Sequence, residues 1–420
     1  MNVMIQPSAL SGTVSAISSK SDAHRILIAS ALADAPTEVQ CNVLSADIRA
    51  TADCLCALGA HIEFASERIL VEPIQTQKDF SVLDCNESGS TLRFLLPLVS
   101  ALGVNGEFTG RGRLPERPVT DLRQAMEAHG VTFSPNGVFP IHTCGQLTAG
   151  NYILRGNVSS QYVTGLLFAL PVLDGDSTLE LLPPVESKAY IQMTLHTLQK
   201  FGITVKESEN TFYIKGKQTY RTPKAVTVDG DWSNAAFFLT AGALRAPVTV
   251  TGLFPDSIQG DKAVLDVLSR MGAKVTRQEN AVTVSPAPLR GVTVDASDIP
   301  DLVPILSVAA AYADGVTEFT NAGRLRIKEC DRLSAISEML GNLGIPTEET
   351  ADTLRVYGGT VQGGTVQGFN DHRMVMSVAV AASAAHGAVA VQGAEAIRKS
   401  YPHFFEDFKL LGGKANVLDS

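Results

Sequence analysis

The sequence contains one unit six times, and this repetition constrains the fold more than any other feature. In each copy a helical stretch ends close to a glycine, and an alternating segment, a polar turn and a second alternating segment follow. Successive glycines lie 68 to 72 residues apart, at Gly59, Gly130, Gly202, Gly272, Gly344 and Gly412. Each stands where the end of a helix favours a left-handed residue, so we interpret all six as helix caps.

A second marker recurs in phase with the glycines, where a strand runs into Ser, Asp or Asn and then into an apolar helix. These residue types accept hydrogen bonds from the first free amides of a helix. We therefore predict N-caps at Ser21, Ser88, Ser159, Asp231, Asp298 and Asn370. With a further helix between the markers, one copy reads strand, helix, strand, helix, strand, strand. The C-terminus is expected to cut the sixth copy short.

The polarity of the segments predicts how they are layered. Residues 21–33, 301–313 and 372–385 are apolar nearly all round, which is typical of helices buried on every side. Residues 274–284 alternate between apolar and polar, which is typical of a strand with one wet face. We therefore expect the helices inside and the sheets outside.

The charge balance limits the class of partner. A chain of 420 residues has room for two to four domains, and 43 acidic against 34 basic residues give a net charge of −9. This is the wrong sign for a general footprint on nucleic acid or on an anionic membrane. An anionic ligand must therefore be bound by local groups.

Cysteine usage and the N-terminal segment favour a cytosolic protein. The six cysteines are Cys41, Cys54, Cys56, Cys85, Cys144 and Cys330, and they form neither a CxxC pair nor a zinc spacing. We interpret them as reduced thiols. The N-terminal segment lacks the pattern of a secretory signal, and the apolar residues 374–391 are interrupted by polar ones, which predicts a buried helix rather than a membrane span.

Basic residues recur at or near the predicted helix N-termini, where the helix dipole disfavours a cation. They are Lys20, Arg25, Arg93, Arg117, Lys188, Lys262, Lys328, Arg332, Arg373 and Lys399. One such case is explained by a solvated side chain and an ordinary cap. Recurrence through most copies indicates bound anions, and the segments 88–90 and 159–161 fit a phosphate or carboxylate site.

Familiar nucleotide and hydrolase motifs are absent from the sequence. There is no GxxxxGK[ST], GxSxG or HExxH, and Pro115 stands where GxGxxG needs its third glycine. The carboxylates that accompany the cations are Asp47, Asp301, Glu329 and Asp371. Each of these could be an ion-pair partner or a general acid or base.

Nine ordered segments carry a resemblance to a known family. They are SSKSDAHRIL, NESGSTLRFL, LPERPVTDL, NVSSQYVTGLL, SKAYI, IPDL, RIKECDRL, NDHRM and RKSYPHF. In this order the chain resembles the 5-enolpyruvylshikimate-3-phosphate synthase family, the 3-phosphoshikimate 1-carboxyvinyltransferases. The resemblance spans essentially the whole chain. It implies an α/β fold of the inverse α/β prism type, with two domains of three βαβαββ repeats each.

The resemblance also implies domain boundaries and a reaction. One domain is expected at 19–228 and the other at 1–18 plus 229–420, with the active site between them. The reaction is transfer of the enolpyruvyl group of phosphoenolpyruvate to the 5-hydroxyl of shikimate 3-phosphate, by addition and then elimination of phosphate, in the shikimate pathway. No metal or organic cofactor is implied. We expect a cytoplasmic monomer whose partners are these two small substrates, with no nucleic acid and no membrane.

Site residues follow from the same resemblance. The residues implied for shikimate 3-phosphate are Lys20, Ser21, Arg25, Ser159, Ser160, Gln161, Ser187, Asp301 and Lys328. Those implied for phosphoenolpyruvate are Lys20, Gly89, Arg117, Gln161, Arg332, Arg373 and Lys399. The implied catalytic groups are Asp301, which takes the hydroxyl proton, and Glu329 with Lys20, which manage the proton at the methylene carbon.

Two positions depart from the family pattern. Arg324 and Glu87 stand where many members have Asn, so Arg324 either contacts the shikimate phosphate or faces solvent.

The related enolpyruvyltransferase acting on UDP-N-acetylglucosamine carries a reactive cysteine or aspartate in the loop at 111–116, which has neither here. A non-catalytic phosphometabolite-binding relative is expected to lose some of Lys20, Asp301 and Glu329, and all three are present.

Overall fold

The computed structural model describes residues 1–76, 78–135 and 138–418. Its α-helices are α1 (Lys20–Ala31), α2 (Ala46–Ala57), α3 (Gly89–Ala101), α4 (Thr120–Glu127), α5 (Ser160–Ala169), α6 (Lys188–Lys200), α7 (Trp232–Leu244), α8 (Val264–Met271), α9 (Val303–Ala311), α10 (Arg332–Asn342), α11 (His372–Ala384) and α12 (Phe404–Leu410). Short 3-10 helices lie at Leu114–Glu116, Leu170–Val172, Gly260–Ala263, Pro300–Leu302, Gly323–Ile327 and Ala394–Lys399.

The strands in the first half of the chain are β1 (Asn2–Gln6), β2 (Gly12–Ser15), β3 (Thr37–Gln40), β4 (His61–Phe64), β5 (Arg68–Glu72), β6 (Phe80–Asp84), β7 (Asn105–Thr109), β8 (Thr132–Ser134), β9 (Ile141–Cys144), β10 (Asn151–Arg155), β11 (Ser177–Leu182) and β12 (Val205–Ser208). Those that follow are β13 (Thr211–Ile214), β14 (Ala225–Thr227), β15 (Val248–Thr251), β16 (Lys274–Arg277), β17 (Ala281–Ser285), β18 (Thr293–Asp295), β19 (Val316–Thr320), β20 (Thr347–Glu349), β21 (Leu354–Tyr357), β22 (Gly364–Gln367), β23 (Val389–Gln392) and β24 (Lys414–Leu418).

The backbone contacts divide the chain into two units. The continuous unit is Lys20–Val228, and the split unit is Met1–Ser19 with Asp229–Ser420. Each unit contains three four-stranded sheets among its described residues. The sheets of the continuous unit are β14-β3-β5-β4, β6-β7-β9-β8 and β10-β11-β13-β12, and those of the split unit are β2-β15-β17-β16, β18-β19-β21-β20 and β22-β23-β1-β24. The first two strands of each sheet run parallel, and the other pairings are antiparallel.

The C-terminus cuts the sixth copy of the repeat short, as predicted: no further strand follows β24 among the described residues, and β1 takes the missing place in its sheet. The N-terminal strand β1 lies between β23 and β24 and pairs with both in antiparallel register, with Val3 opposite Val391 and Val417. This pairing satisfies strand edges that β23 and β24 would otherwise leave open. The next strand, β2, pairs with β15 in the split unit. In the first sheet of the continuous unit, the corresponding place beside β3 is taken by β14.

Helices form the inside of each unit, as their polarity predicts. All nine residues of α9 and all thirteen of α11 are buried, and α7, α9 and α11 pack against one another. Strands such as β5 alternate between buried and exposed residues, which leaves one face wet. Within the described ranges, no helix is long and apolar enough to cross a membrane.

The repeat glycines are confirmed as helix caps. All six have positive φ, from 76° at Gly202 to 114° at Gly272, a region that a residue without a Cβ adopts at little cost. Each follows the end of a helix by one to three residues.

Only half of the predicted N-caps are confirmed. Ser88, Ser159 and Asp231 cap α3, α5 and α7 with their side chains. Ser21 is wrong because α1 already begins at Lys20, and Asp298 is wrong because a 3-10 turn at Pro300–Leu302 leads into α9. Asn370 is also wrong: it has φ 51°, and its neighbour Asp371 caps α11 by accepting from the Arg373 amide at 2.8 Å.

Candidate active site

In the continuous unit, the first turns of α1 and α2 are joined by an ion pair. Lys20 Nζ lies 2.8 Å from Asp47 Oδ2, and their side chains are only 14% and 11% exposed. Ser45 caps α2 by accepting from the Ile48 amide and so fixes the turn that carries Asp47. The pair holds the Lys20 ammonium in one place while leaving part of it accessible.

Arg25 lies deeper on α1 and is almost fully buried. Its guanidinium donates to Thr194 Oγ1 at 2.9 Å, to the Tyr190 carbonyl at 2.9 Å and to the Ser21 carbonyl at 2.5 Å. Burial lowers the pKa of Arg25 to about 10, against the opposing effect of Asp22. The group therefore remains a cation at neutral pH, bonded to neutral oxygens.

At the start of α3 the backbone passes close to two guanidinium groups. A Cβ on Gly89 would lie 2.7 Å from Arg117 Nη1 and 2.8 Å from Arg93 Nη1, closer than any Cβ contact tolerates. Glycine therefore lets the helix N-terminus and the two guanidinium groups converge, and an added methyl group would make one or both guanidinium groups move. Arg93 in turn donates to Gln161 Oε1 at 2.7 Å, and Gln161 Nε2 donates to Ser90 at 3.0 Å.

The remaining predicted residues of this unit begin the helices α5 and α6, which pack against each other. Ser159 caps α5 by accepting from the Gln161 amide at 3.3 Å, and Ser160 is the first helical residue. Ser187 immediately precedes α6 with a left-handed backbone, φ 55°, and its side chain is buried. The structure thus places these serines at helix N-termini, where anions bind readily.

The split unit contains an ionic cluster centred on Arg332, which is 1% exposed. Its guanidinium contacts three carboxylates: Asp371 Oδ2 at 2.7 Å, Asp301 Oδ1 at 2.7 Å and Glu329 Oε2 at 2.8 Å. Burial disfavours its charge, but the three carboxylates outweigh burial and raise the pKa of Arg332 well above its ordinary value. Arg332 is therefore a permanent cation that fixes the orientation of all three acids.

Asp301 is the acid shared by the most cations in this cluster. Besides Arg332, it contacts Arg373 Nη2 at 3.2 Å and Lys328 Nζ at 3.4 Å. The Asp301 side chain is 17% exposed and that of Glu329 is 19% exposed, so both carboxylates can be reached from outside. A carboxylate held in place by cations in this way is able to accept a proton from a bound hydroxyl.

Lys328 and Lys399 complete the basic side of the cluster. Burial lowers the pKa of Lys328 to about 8, with Arg332 and Arg324 acting in the same direction and Asp301 opposing them. Lys399 ends a 3-10 helix and donates to the Asn370 carbonyl at 2.6 Å, one residue before Asp371. The predicted residues of the split unit therefore converge on one region.

The two departures from the family pattern lie beside the predicted residues. Arg324 is close enough to Lys328 to lower its pKa. The Glu87 carboxylate packs over Gly112, which has φ 55° and would meet Glu87 if it carried a Cβ. Arg324 therefore acts on the charge of Lys328, whereas Glu87 packs against the loop that contains Gly112.

Two residues belong to this chemistry that the sequence reasoning did not assign. The sequence marks Arg93 only as a basic residue at a helix start and gives no sign of its bond to Gln161. Asp261, 3% exposed, has its pKa raised to about 6 by burial and by Asp301, while Arg373 opposes the rise. No pattern in the sequence marks Asp261, since its neighbours are supplied by distant segments.

In the described part of the chain, no group of three or more His, Cys, Asp or Glu side chains could hold a metal ion. The grouped charges consist instead of carboxylates interleaved with Arg and Lys. Such an arrangement can bind organic anions and move protons.

The sequence and the fold were compared with those of known proteins. Residues 4–408 match the profile of EPSP synthase (3-phosphoshikimate 1-carboxyvinyltransferase). The 3-phosphoshikimate 1-carboxyvinyltransferase of Clostridium kluyveri is 41% identical over 418 residues, covering 98% of this chain and 97% of that protein. The enzyme of the same name from Clostridioides difficile is 39% identical over 428 residues, covering 98% of each chain.

Solved structures agree on the fold. The structure of EPSP synthase from Acinetobacter baumannii superposes with a TM-score of 0.83 at 24% identity, covering 99% of this chain and all of that one. The enolpyruvyl transferase NikO from Streptomyces tendae gives 0.81 at 24% identity, covering 99% of this chain and 98% of that one. The predicted α/β fold of the inverse prism type is confirmed. The chain belongs to the EPSP synthase (3-phosphoshikimate 1-carboxyvinyltransferase) family.

Proposed function

We propose that this chain transfers the enolpyruvyl group of phosphoenolpyruvate to the 5-hydroxyl of shikimate 3-phosphate, with release of phosphate. The observation that carries the proposal is the cluster in which the Arg332 guanidinium lies within hydrogen-bond distance of both the Asp301 and the Glu329 carboxylate. An addition to a vinyl group needs one acceptor for a hydroxyl proton and one donor for the carbon. Two oriented carboxylates in a basic surrounding meet that need.

Shikimate 3-phosphate is proposed to bind mainly through the serines at helix starts and the basic side chains near them. The residues assigned to it are Lys20, Ser21, Arg25, Ser159, Ser160, Gln161, Ser187, Asp301 and Lys328. The serines at the starts of α5 and α6 suit the phosphate, because hydroxyls and free amides at a helix N-terminus both donate. Arg25 and Ser21 suit the carboxylate, and Asp301 with Lys328 suits the ring hydroxyls.

Phosphoenolpyruvate is proposed to bind through cations and the start of α3. The residues assigned to it are Lys20, Gly89, Arg117, Gln161, Arg332, Arg373 and Lys399. Planar guanidinium groups match both the carboxylate and the phosphate of this substrate in bidentate fashion. The close approach of Gly89 to Arg117 supports a common anion site for the backbone and the side chain.

The proposed chemistry proceeds in two balanced steps. In the addition, Asp301 accepts the 5-hydroxyl proton, the hydroxyl oxygen bonds to C2 of phosphoenolpyruvate, and the methylene carbon gains a proton from Glu329 with Lys20. In the elimination, the new methyl group loses a proton to the same pair, the C2–phosphate oxygen bond breaks, and the departing phosphate takes up the proton held by Asp301. Arg332, fixed by three carboxylates, stabilises the negative charge of the departing phosphate.

The remaining expectations are part of the same proposal. We infer a monomeric cytoplasmic enzyme with domains at 19–228 and at 1–18 plus 229–420, both of which supply substrate ligands. The division of the chain by internal contacts at Lys20 and Asp229 supports these boundaries.

The reaction is tested by measuring phosphate release from phosphoenolpyruvate with purified protein. Release is expected only when shikimate 3-phosphate is supplied, and the organic product should gain the enolpyruvyl mass. UDP-N-acetylglucosamine serves as the matched acceptor for the related transfer. Equal release with that acceptor, or none with shikimate 3-phosphate, would contradict the proposal.

A further inference from the structure

A buried chain of hydrogen bonds joins the three helices that carry Lys20, Asp47 and Gly89. His24 Nδ1 lies 2.7 Å from Thr51 Oγ1, Thr51 Oγ1 lies 2.6 Å from Thr91 Oγ1, and Thr91 Oγ1 donates to Ser88 Oγ at 2.8 Å. His24, Thr51 and Thr91 are fully buried, and Ser88 is 1% exposed. The chain therefore crosses from α1 through α2 to the N-cap of α3 without contacting solvent.

The direction of each bond follows from the number of protons available. A threonine hydroxyl has one proton, and that of Thr91 is used on Ser88. Thr91 must then accept from Thr51, and Thr51 must accept from a proton on His24 Nδ1. Burial, with Lys20 and Arg25 nearby, lowers the pKa of His24 well below its usual value, which agrees with a neutral ring.

His24 and Thr91 each lie about one turn or less from a residue assigned to substrate, and Thr51 lies about one turn from Asp47, the ion-pair partner of Lys20. His24 is four residues after Lys20 on α1, Thr51 is four residues after Asp47 on α2, and Thr91 is two residues after Gly89 on α3. The His24 ring is also held edge-on against Phe94 of α3, at a centroid distance of 6.3 Å. The chain thus sets the register of the three helix starts relative to one another.

We propose that His24 and Thr51 are positioning residues that hold the N-terminus of α3 in its anion-binding geometry. The Ser88 oxygen at the end of the chain accepts from the Thr91 amide at 3.2 Å, and the Ser88 carbonyl accepts from the Leu92 amide at 3.2 Å. A shift of Ser88 would therefore turn the amides of the first turn away from the anion. The consequence for catalysis rests on the proposed function, in which this turn binds phosphoenolpyruvate.

The test uses Thr51→Val, which keeps the shape of the side chain and removes its hydroxyl. Two buried polar groups, on His24 and Thr91, then lose a partner, and the helices must shift to relieve them. Hydrogen–deuterium exchange of the free protein should speed up by about tenfold in the first turn of α3. The KM for phosphoenolpyruvate should rise by about fivefold to tenfold, with kcat within about twofold of wild type.

Two further variants separate positioning from a general loss of stability. Thr51→Ser keeps the hydroxyl and removes only the methyl group. Its exchange rate in α3 and its KM for phosphoenolpyruvate should therefore be close to those of wild type. Thr197→Val is the matched control, since Thr197 is buried and donates only within α6, to the Met193 carbonyl at 3.0 Å. Thr51→Cys, whose thiol is a weak donor and acceptor, replaces Thr51→Val if that variant does not fold.

The proposal would be overturned if Thr51→Val and Thr197→Val had the same exchange rates in α3 and the same KM for phosphoenolpyruvate. It would also be overturned if exchange in α3 were as fast in Thr51→Ser as in Thr51→Val. If wild-type protein transfers no enolpyruvyl group, the proposed function fails. The exchange measurement then still decides whether the chain holds the N-terminus of α3.

Discussion

The two units are built from the same repeat, yet they hold their charged side chains in different ways. In the continuous unit, Arg25 and Arg93 donate to hydroxyl, amide and carbonyl oxygens. In the split unit, Arg332 contacts three carboxylates, and Asp301 contacts three cations. A guanidinium bonded to neutral oxygens keeps its full charge for a ligand, whereas one bonded to carboxylates holds those acids in place.

This difference indicates a division of labour within one repeated architecture. Helix starts with basic side chains beside their first amides suit tight binding of polyanions. A balanced cluster suits proton transfer, because the ion pairs fix the orientation of its carboxylates. Substitutions of the carboxylates Asp301 and Glu329 in the split unit should therefore act mostly on kcat, and those of the serines and Gly89 at the helix starts of the continuous unit mostly on KM.

The largest effect is expected for Asp301→Asn. The amide cannot accept the hydroxyl proton, and three cations lose the anion that they share. We expect kcat to fall by about 10²–10⁴ in steady-state assays of phosphate release. Asp314→Asn is the control, because Asp314 is exposed and lies outside the cluster. A change in KM alone for Asp301→Asn would remove the distinction between the two units.

A smaller effect is expected for Gly89→Ala. The added Cβ would clash with the guanidinium groups of Arg117 and Arg93, so one or both must move away from the anion site. Displacements of this kind cost about 1–3 kcal/mol, which corresponds to a rise of about 5- to 150-fold in the KM for phosphoenolpyruvate.

Gly341→Ala provides the matched control for that substitution. A Cβ at this helical position meets no heavy atom within 4 Å, so the variant should keep wild-type KM and gain slightly in stability. If Gly89→Ala left the KM unchanged, the start of α3 would not belong to the binding surface.

The smallest effect concerns the pH dependence set by Lys328. Its pKa of about 8 means that the side chain is a cation below that pH and loses its charge above it. An anionic substrate should then bind more weakly, so kcat/KM for shikimate 3-phosphate should fall by up to about tenfold per pH unit above 8. Lys328→Arg should move this fall to higher pH, since a guanidinium does not deprotonate in this range. If kcat/KM depended on pH in the same way in wild type and in Lys328→Arg, a group other than Lys328 would be responsible for the fall.

Local physics explains which parts of the fold could be predicted from sequence. The repeat glycines were interpretable because a left-handed helix cap depends on a few neighbouring residues. The caps at Ser21, Asp298 and Asn370 were misplaced because tertiary contacts shift a helix start by one or more residues. The insertion of β1 into the sixth sheet was missed, since pairing across nearly the whole chain leaves no local signal.

The same distinction applies to the candidate site. Asp301, Glu329 and Arg332 were picked out because charged residues at helix starts are conspicuous in a sequence. The contact between Arg93 and Gln161 could not be predicted from the sequence, because the two residues lie 68 positions apart on different helices. Asp261 could not be found either, because its raised pKa comes from burial and from groups brought near by folding.

The most direct test of the division of labour compares kcat and both KM values for Glu329→Gln and Ser160→Ala. Glu329→Gln should lower kcat by about 10²–10⁴ with both KM values within about threefold of wild type. Ser160→Ala should raise the KM for shikimate 3-phosphate by about tenfold with kcat nearly unchanged, because it removes one donor to the phosphate. Near-normal kcat with a raised KM for Glu329→Gln would show that Glu329 only orients cations, and would contradict the assignment of proton transfer to the split unit.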